Sequence, residues 1–308
     1  TRADSWQDPT AMTISISPLH PVFAGEASGI DTTRPLSGAD VAAIEAGMDR
    51  YAVLVFRDQR LTDEQQLAFS RCFGTLEETR GTGISKPGEQ RLHPAFADVS
   101  NIDKDNKLLE RDNRRRLYGL GNMLWHSDSS FKAVPAKYSI LSGRIVTSEG
   151  GNTEFADMRA AYAALDDATK AEIDDLVCEH SLIYSRGILG FTDLTSEERA
   201  TMRPVRQRLV RTHPATGVKS LYLASHIGTI IGWPVPEARA FIRDLTEHAT
   251  QRQYVYAHQW RQHDLVMWDN RVTVHRVRRY DDAVPRDMRR TTVAGTEMTA
   301  VQASIAAE

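Results

Sequence analysis

Short runs of β-branched and aromatic residues recur along this chain without the regular intervening helices that a parallel sheet needs, and that pattern constrains the fold most. Residues 52–56 (AVLVF) form a continuous apolar run of buried-strand type, and 12–16 (MTISI) alternate as a half-buried strand does. Further strand candidates fall at 182–184, 209–211, 221–223, 254–256, 265–268 and 291–293, with a hairpin-type turn at 214–217 (PATG). Helical spacing is confined to a few segments. Val41, Ile44 and Met48 follow Ser37, and a Thr62-x-x-Gln65 capping box opens a second helix. Residues 157–165, 167–177 and 236–248 supply the others, the last with Ala238, Phe241, Ile242 and Leu245 on one face. Many short strands with inserted helices predict a mainly β fold, a double-stranded β-helix or jelly roll, rather than a doubly wound sheet.

At 308 residues the chain is long enough to bury a core without disulfides, and its two cysteines, Cys72 and Cys178, are far apart in sequence. With no signal-type apolar stretch, a reduced cytoplasmic setting is the expectation. A net charge of -3 argues against nucleic acid as a partner, and no apolar run reaches the roughly 20 residues of a membrane span. Residues 1–11 are polar and patternless, as a disordered extension or tag would be, and 297–308 read as a flexible tail, leaving 12–296 as one domain. Residues 74–122 are rich in Gly, Lys, Arg, Asp and Asn, and predict a long mobile excursion of the kind that often serves as a lid.

The sharpest chemical feature is Trp125-His126-Ser127-Asp128. On extended backbone, His126 and Asp128 point to the same side and can meet one ion. Alone the pair is weak evidence, because chance His-x-Asp matches are common in a chain with ten histidines. His275 far downstream, followed by Arg286 and Arg290, changes the reading. Two imidazoles and one carboxylate on one side of Fe(II) leave positions open for a chelating co-substrate and dioxygen. A 2-oxo acid with a second carboxylate needs a fixed cation in its pocket, a task that suits arginine's bidentate fork. The competing reading of the arginines is a solvated basic stretch, since Arg276, Arg278, Arg279 and Arg289 crowd the same segment.

Three blocks then resemble the taurine dioxygenase and 2,4-dichlorophenoxyacetate dioxygenase family of Fe(II)/2-oxoglutarate enzymes. They are 121–131 (GNMLWHSDSSF), 150–162 (GGNTEFADMRAAY) and 264–271 (DLVMWDNR) leading to His275. The likeness spans nearly the whole chain after Met12 and is closest to the phenoxyacetate branch. It implies that His126, Asp128 and His275 bind iron, and that Thr153 and Arg286 hold the far carboxylate of 2-oxoglutarate. Asn122 is implied to lie near co-substrate and substrate, with Arg290 facing the substrate anion. His213 and His226 flank the hairpin where phenoxyacetate enzymes place substrate-side histidines, although Thr229 stands where that pattern puts another polar partner. Lys86, in the expected lid, is a further candidate to reach a carboxylate, while His248, His258 and His263 read as structural.

The activity so implied is hydroxylation of an aryloxyalkanoic acid such as 2,4-dichlorophenoxyacetate beside its ether oxygen. Products are the phenol and glyoxylate, with 2-oxoglutarate and O2 converted to succinate and CO2. The same residues would serve a dioxygenase acting on a sulfonate, an alkylsulfate or another aromatic carboxylate, and a non-catalytic metal and 2-oxoglutarate module is the reading from a different class. Resemblance also implies a homo-oligomer, a dimer or higher.

Overall fold

The computed structural model describes residues 14–78, 84, 88 and 90–303. Its strands begin with β1 (Ser15–Pro18), β2 (Gly25–Ser28), β3 (Val53–Phe56), β4 (Phe96–Asp98) and β5 (Ala136–Ile145). Next come β6 (Thr153–Asp157), β7 (Val177–His180), β8 (Val205–Arg208), β9 (Val210–Thr212) and β10 (Lys219–Leu221). The last are β11 (Ile227–Ile230), β12 (Val255–His258), β13 (Leu265–Asp269), β14 (Thr273–Val277) and β15 (Asp287–Ala294). Helices α1 (Gly38–Tyr51), α2 (Asp63–Arg71), α3 (Arg114–Gly119), α4 (Met158–Ala163), α5 (Asp167–Ile173), α6 (Leu182–Gly187), α7 (Ser196–Thr201) and α8 (Val235–Ala249) are inserted between them.

One seven-stranded sheet runs β1-β2-β3-β13-β5-β15-β4, and β12-β6-β14 form a second, smaller sheet. Strands β11-β7-β8 and the hairpin β10-β9 complete the β structure of the described residues. The side-chain period of two sorts each central strand between two cores. On one face of the large sheet, Leu54, Phe56, Leu265 and Met267 pack against Ile44 and Met48 of α1 and Phe69 of α2. On the other face, Val53, Val55, Val266 and Trp268 meet Phe155 of the small sheet. That double burial is why 53–56 and 265–268 read as unbroken apolar runs rather than alternating ones. The small sheet's outer face carries Ala156 and Val274 into a third core with α4 and α8. Each fully buried Leu, Ile or Phe contributes about 1.5–3 kcal/mol, so these cores hold the sheets in fixed relation.

The expected Thr62–Gln65 capping box forms, and Ser37 with Asp40 and Thr195 with Glu198 make two more, each cap side chain accepting from the backbone three residues on. The 214–217 turn joins β9 to β10 antiparallel. Residues 182–184, expected as a strand, are instead the start of α6, because the Ser181 hydroxyl accepts from the Tyr184 amide and caps a helix. Within the 74–122 segment a short strand, β4, pairs with β15. Within the expected excursion, α3 and a 3-10 turn at Leu120–Met123 approach the functional site. Of the expected first strand, Met12 and Thr13 lie outside the described residues, and pairing with β2 starts at Ser15. Residues expected to fray after Glu297 are tied to β8, where Gln302 exchanges hydrogen bonds of 2.9 Å with the Arg206 backbone.

Ile44 is fully buried between α1 and the sheet, so Ile44→Ala is expected to cost about 2–5 kcal/mol in urea unfolding. Thr62→Ala, which removes only a cap, is expected to cost about 1 kcal/mol. Equal losses from the two would contradict this division of the core.

Candidate metal centre and its cavity

His126 lies in the segment between the 3-10 turn at Leu120–Met123 and β5, and His275 is the middle residue of β14 in the small sheet. Their backbones form an isolated antiparallel bridge, the His126 amide donating to the His275 carbonyl at 3.0 Å and the reverse bond spanning 2.8 Å. A directly paired couple brings side chains together, and the two imidazole centroids are 4.2 Å apart. Asp128 completes the group, with its carboxylate oxygens 3.8 Å from His126 Nε2 and 3.7 Å from His275 Nε2. Ligand atoms about 2.1 Å from an ion and at right angles would lie about 3.0 Å apart, so the observed spacing accepts a metal with sub-ångström closure. Among the described residues this is the one His/Cys/Asp/Glu cluster of that kind.

The surroundings prepare these groups for coordination. His126 Nδ1 lies 2.7 Å from the Leu124 carbonyl and so carries the proton, leaving Nε2 free as a ligand. Ser139 donates to Asp128 Oδ2 at 2.7 Å, and Arg290 Nη1 donates to Oδ1. Asn270, absent from the sequence-based candidates, accepts from the Asp128 amide at 3.1 Å and donates to Ser139 Oγ at 2.9 Å. Burial pulls His126 below the usual imidazole range and His275 well below it. Burial opposes ionisation of Asp128, but the Arg290 guanidinium, helped by the Ser139 hydrogen bond, outweighs it and brings its carboxyl down to about 2. Neutral imidazoles beside an ionised carboxylate are the protonation states that bind a divalent metal. Two imidazoles with one carboxylate suit Fe(II) or Mn(II), and they leave the rest of the coordination sphere to other ligands.

Two lobes of one cavity meet here, both lined by His126, Asn122 and Arg290. The first, about 320 Å³, contains His275, Thr153 and Arg286. Arg286 is buried, donates through Nη2 to the Gly151 carbonyl at 3.3 Å, and has no carboxylate partner among the described residues. Thr153 is oriented by Trp260, whose indole N–H donates to its hydroxyl at 2.9 Å. The turn before Thr153 needs its glycines: Gly150 has φ +68°, and a Cβ there would stand 2.4 Å from the Arg279 carbonyl oxygen.

The second lobe, about 220 Å³, contains Asp128, Phe131, Leu182, Arg186 and His226. His226, rather than His213, is the hairpin histidine at the site, its ring centroid 6.1 Å from that of His126. His213 lines neither lobe. It is buried with Nε2 3.1 Å from Asp269 Oδ2, and it ties the β9–β10 turn to the end of β13. Lys86 lies outside the described residues. His248 and His258 are held by the Ala161 carbonyl and by Asp264 respectively, in keeping with structural roles. Tyr118 and Arg186 were not foreseen, since neither falls in a recognisable spacing with the ligands.

Residues 15–292 match the family described as "Taurine catabolism dioxygenase TauD, TfdA family". The chain belongs to this family. An alpha-ketoglutarate-dependent 2,4-dichlorophenoxyacetate dioxygenase of Cupriavidus pinatubonensis is 45% identical over 91% of this chain and 98% of that protein. An (S)-phenoxypropionate/alpha-ketoglutarate-dioxygenase of Delftia acidovorans is 34% identical over 92% of this chain and 96% of that protein. Among solved structures of the family, AAD-2 in complex with Mn(II) and N-oxalylglycine superposes with a TM-score of 0.92 at 60% identity, covering 94% of this chain and 100% of the other.

If the hydroxyl of Ser139 steadies Asp128, Ser139→Ala is expected to weaken Mn(II) binding roughly 10- to 100-fold in titration calorimetry. An unchanged affinity would remove Ser139 from the metal site.

Proposed function

We propose that this chain is an Fe(II)- and 2-oxoglutarate-dependent dioxygenase that hydroxylates an aryloxyalkanoic acid, such as 2,4-dichlorophenoxyacetate, beside its ether oxygen. The observation that carries this is a His126–Asp128–His275 cluster set at the junction of two lobes, one of them ending in a buried, unneutralised Arg286. Sequence likeness to dioxygenases of that specificity over almost the full length of both chains supports the substrate class. The sheets around the cluster are those of a jelly roll in this reading, and the residues that would hold the metal are brought together by the bridge between His126 and β14.

His126, Asp128 and His275 would hold iron, and the first lobe would hold 2-oxoglutarate, its far carboxylate received by Arg286 and Thr153. Bound together with O2, iron and 2-oxoglutarate supply the oxidising chemistry, in which the co-substrate leaves as succinate and CO2 and one oxygen atom enters the substrate. The residues of the chain position and shield. Asn122 and Arg290 line both lobes and so bear on co-substrate and substrate alike. Phe131 and Leu182 give the second lobe an apolar wall against which an aromatic ring can be held. Correct placement of the carbon beside the ether oxygen decides which bond reacts. The hydroxylated carbon is a hemiacetal, whose hydroxyl proton passes to the aryl oxygen as that C–O bond breaks. Phenol and glyoxylate leave, and no protein nucleophile is consumed.

Reconstitution without oxygen, followed by O2 with an aryloxyacetate, should release succinate and phenol in a one-to-one ratio. Succinate driven only by taurine or an alkylsulfate would replace the substrate class while keeping the chemistry. Arg286→Gln is expected to raise the KM for 2-oxoglutarate about tenfold or more, with a smaller effect on the aryloxy acid.

A further inference from the structure

Resting on the reading that the first lobe receives 2-oxoglutarate, we infer that Tyr280 sets the length of the 2-oxo acid which that lobe accepts. It does so as the wall behind Arg286. A separate surface groove of about 760 Å³ lies beside the lobe, with Leu108, Arg111 and Glu149 on its far side. Four residues line both spaces, Arg116, Arg279, Tyr280 and Asp282, and so form the partition between them. Arg286 lines the lobe and not the groove. Its guanidinium carbon lies 5.0 Å from the centroid of the Tyr280 ring, so this ring, facing both spaces, covers the cation on the groove side.

No other member of the partition can take that place. Arg116 and Arg279 carry the same charge as Arg286, and the exposed Asp282 is already paired with Arg116. A guanidinium within about 6 Å of an aromatic face is attracted to it. Burial raises the Tyr280 hydroxyl above its ordinary range, so the side chain stays a neutral phenol and offers Arg286 a face rather than a counter-charge. The N–H edge of Arg286 is left for an incoming carboxylate, while the ring keeps the water of the groove from competing for it. An acid longer by one methylene would have to drive its far carboxylate, or Arg286 itself, into space that the ring fills.

Main-chain bonding fixes the spacing of ring and cation. Tyr280 forms an isolated antiparallel bridge with Gly150, and the Gly151 amide donates to the Arg279 carbonyl at 3.1 Å. A Cβ on Gly151 would lie 3.5 Å from Tyr280 Cβ and 3.4 Å from Arg286 Nε, so the glycine turn that leads to Thr153 also seats the ring and the cation. At the other end of the connecting loop, Asn101 Oδ1 accepts from the Arg286 amide at 2.7 Å, and Asn101 Nδ2 donates to the Val284 carbonyl at 2.9 Å. Both ends of the segment from Tyr280 to Arg286 are therefore held, and the depth of the lobe is held with them.

The test needs no turnover. Mn(II)-loaded protein is titrated by calorimetry, without oxygen, with 2-oxoglutarate and with 2-oxoadipate, which is one methylene longer. Wild type should bind the shorter acid roughly 10- to 200-fold more tightly, the range that one methylene is worth in a fitted pocket. Tyr280→Phe keeps the aromatic face and should keep that preference. Tyr280→Ala should bring the two acids within about threefold of each other, and Tyr280→Leu, the milder change to packing, should fall between. A preference unchanged in Tyr280→Leu or Tyr280→Ala, with both acids weakened alike, would make the ring a support for Arg286 only and overturn the inference. So would a wild type that binds the two acids equally. Arg286→Gln separates this failure from that of the reading beneath it: if 2-oxoglutarate affinity survives that change, the lobe does not hold the far carboxylate at Arg286, and the inference falls with the reading.

Discussion

Everything at the site depends on the two backbone hydrogen bonds that join His126 to His275. Between them they pair a segment leading into the large sheet with the middle of the small one. Side chains on a paired couple have fixed separation and direction, so the metal geometry is set by main-chain bonding before any ion arrives. Trp268, with its ring 4.7 Å from that of His275, and Phe155, at 6.0 Å, then prevent the imidazole from turning away. Because those two aromatics are also the contact between the sheets, loss of inter-sheet packing and loss of the metal site are the same event.

A second constraint is electrostatic. One carboxylate lies among two neutral imidazoles and the guanidinium of Arg290, and its ionised state is held by that cation and by Ser139. A divalent ion would add positive charge to Asp128 from the opposite side. Arg290 would then share the carboxylate with the metal, and its N–H groups would turn in part to whatever anion occupies the adjoining lobes. Arg290 lines both lobes, so the substrate-side role that the family resemblance implies for it would be exercised from the boundary between them.

Local rules made much of the fold legible: the cap at Thr62, doubly buried runs at 53–56 and 265–268, and the turn at 214–217 all act within a few residues. They fail where two local signals compete. Residues 182–184 have strand-like composition, but Ser181 offers the free amides a cap, and the helix wins. The ligand triad was readable because its chemistry requires rare residue types in a set order. Choosing between His213 and His226 was not, since both flank the same hairpin and only tertiary placement sends one to Asp269 and the other beside His126. Asn270 was hidden for a related reason: it touches no open space and acts through hydrogen bonds to Asp128 and Ser139.

Arginines were the most ambiguous residues in the sequence, since a dense basic stretch and a set of anion sites look alike when only spacing is visible. Burial together with counter-charge separates them. Arg271 and Arg159 are largely buried, yet each is answered by an aspartate two residues earlier on its own segment, at 2.6 and 2.9 Å, and so serves packing. Arg289 is answered by Asp287 and Asp63. Arg286 and Arg186 are buried as deeply without such an answer among the described residues, one in each lobe. A fold does not leave a buried cation uncompensated without cost, and both of these line cavity. In the proposed function the far carboxylate of 2-oxoglutarate restores the balance at Arg286, so the site would be complete only once that acid had entered from solution.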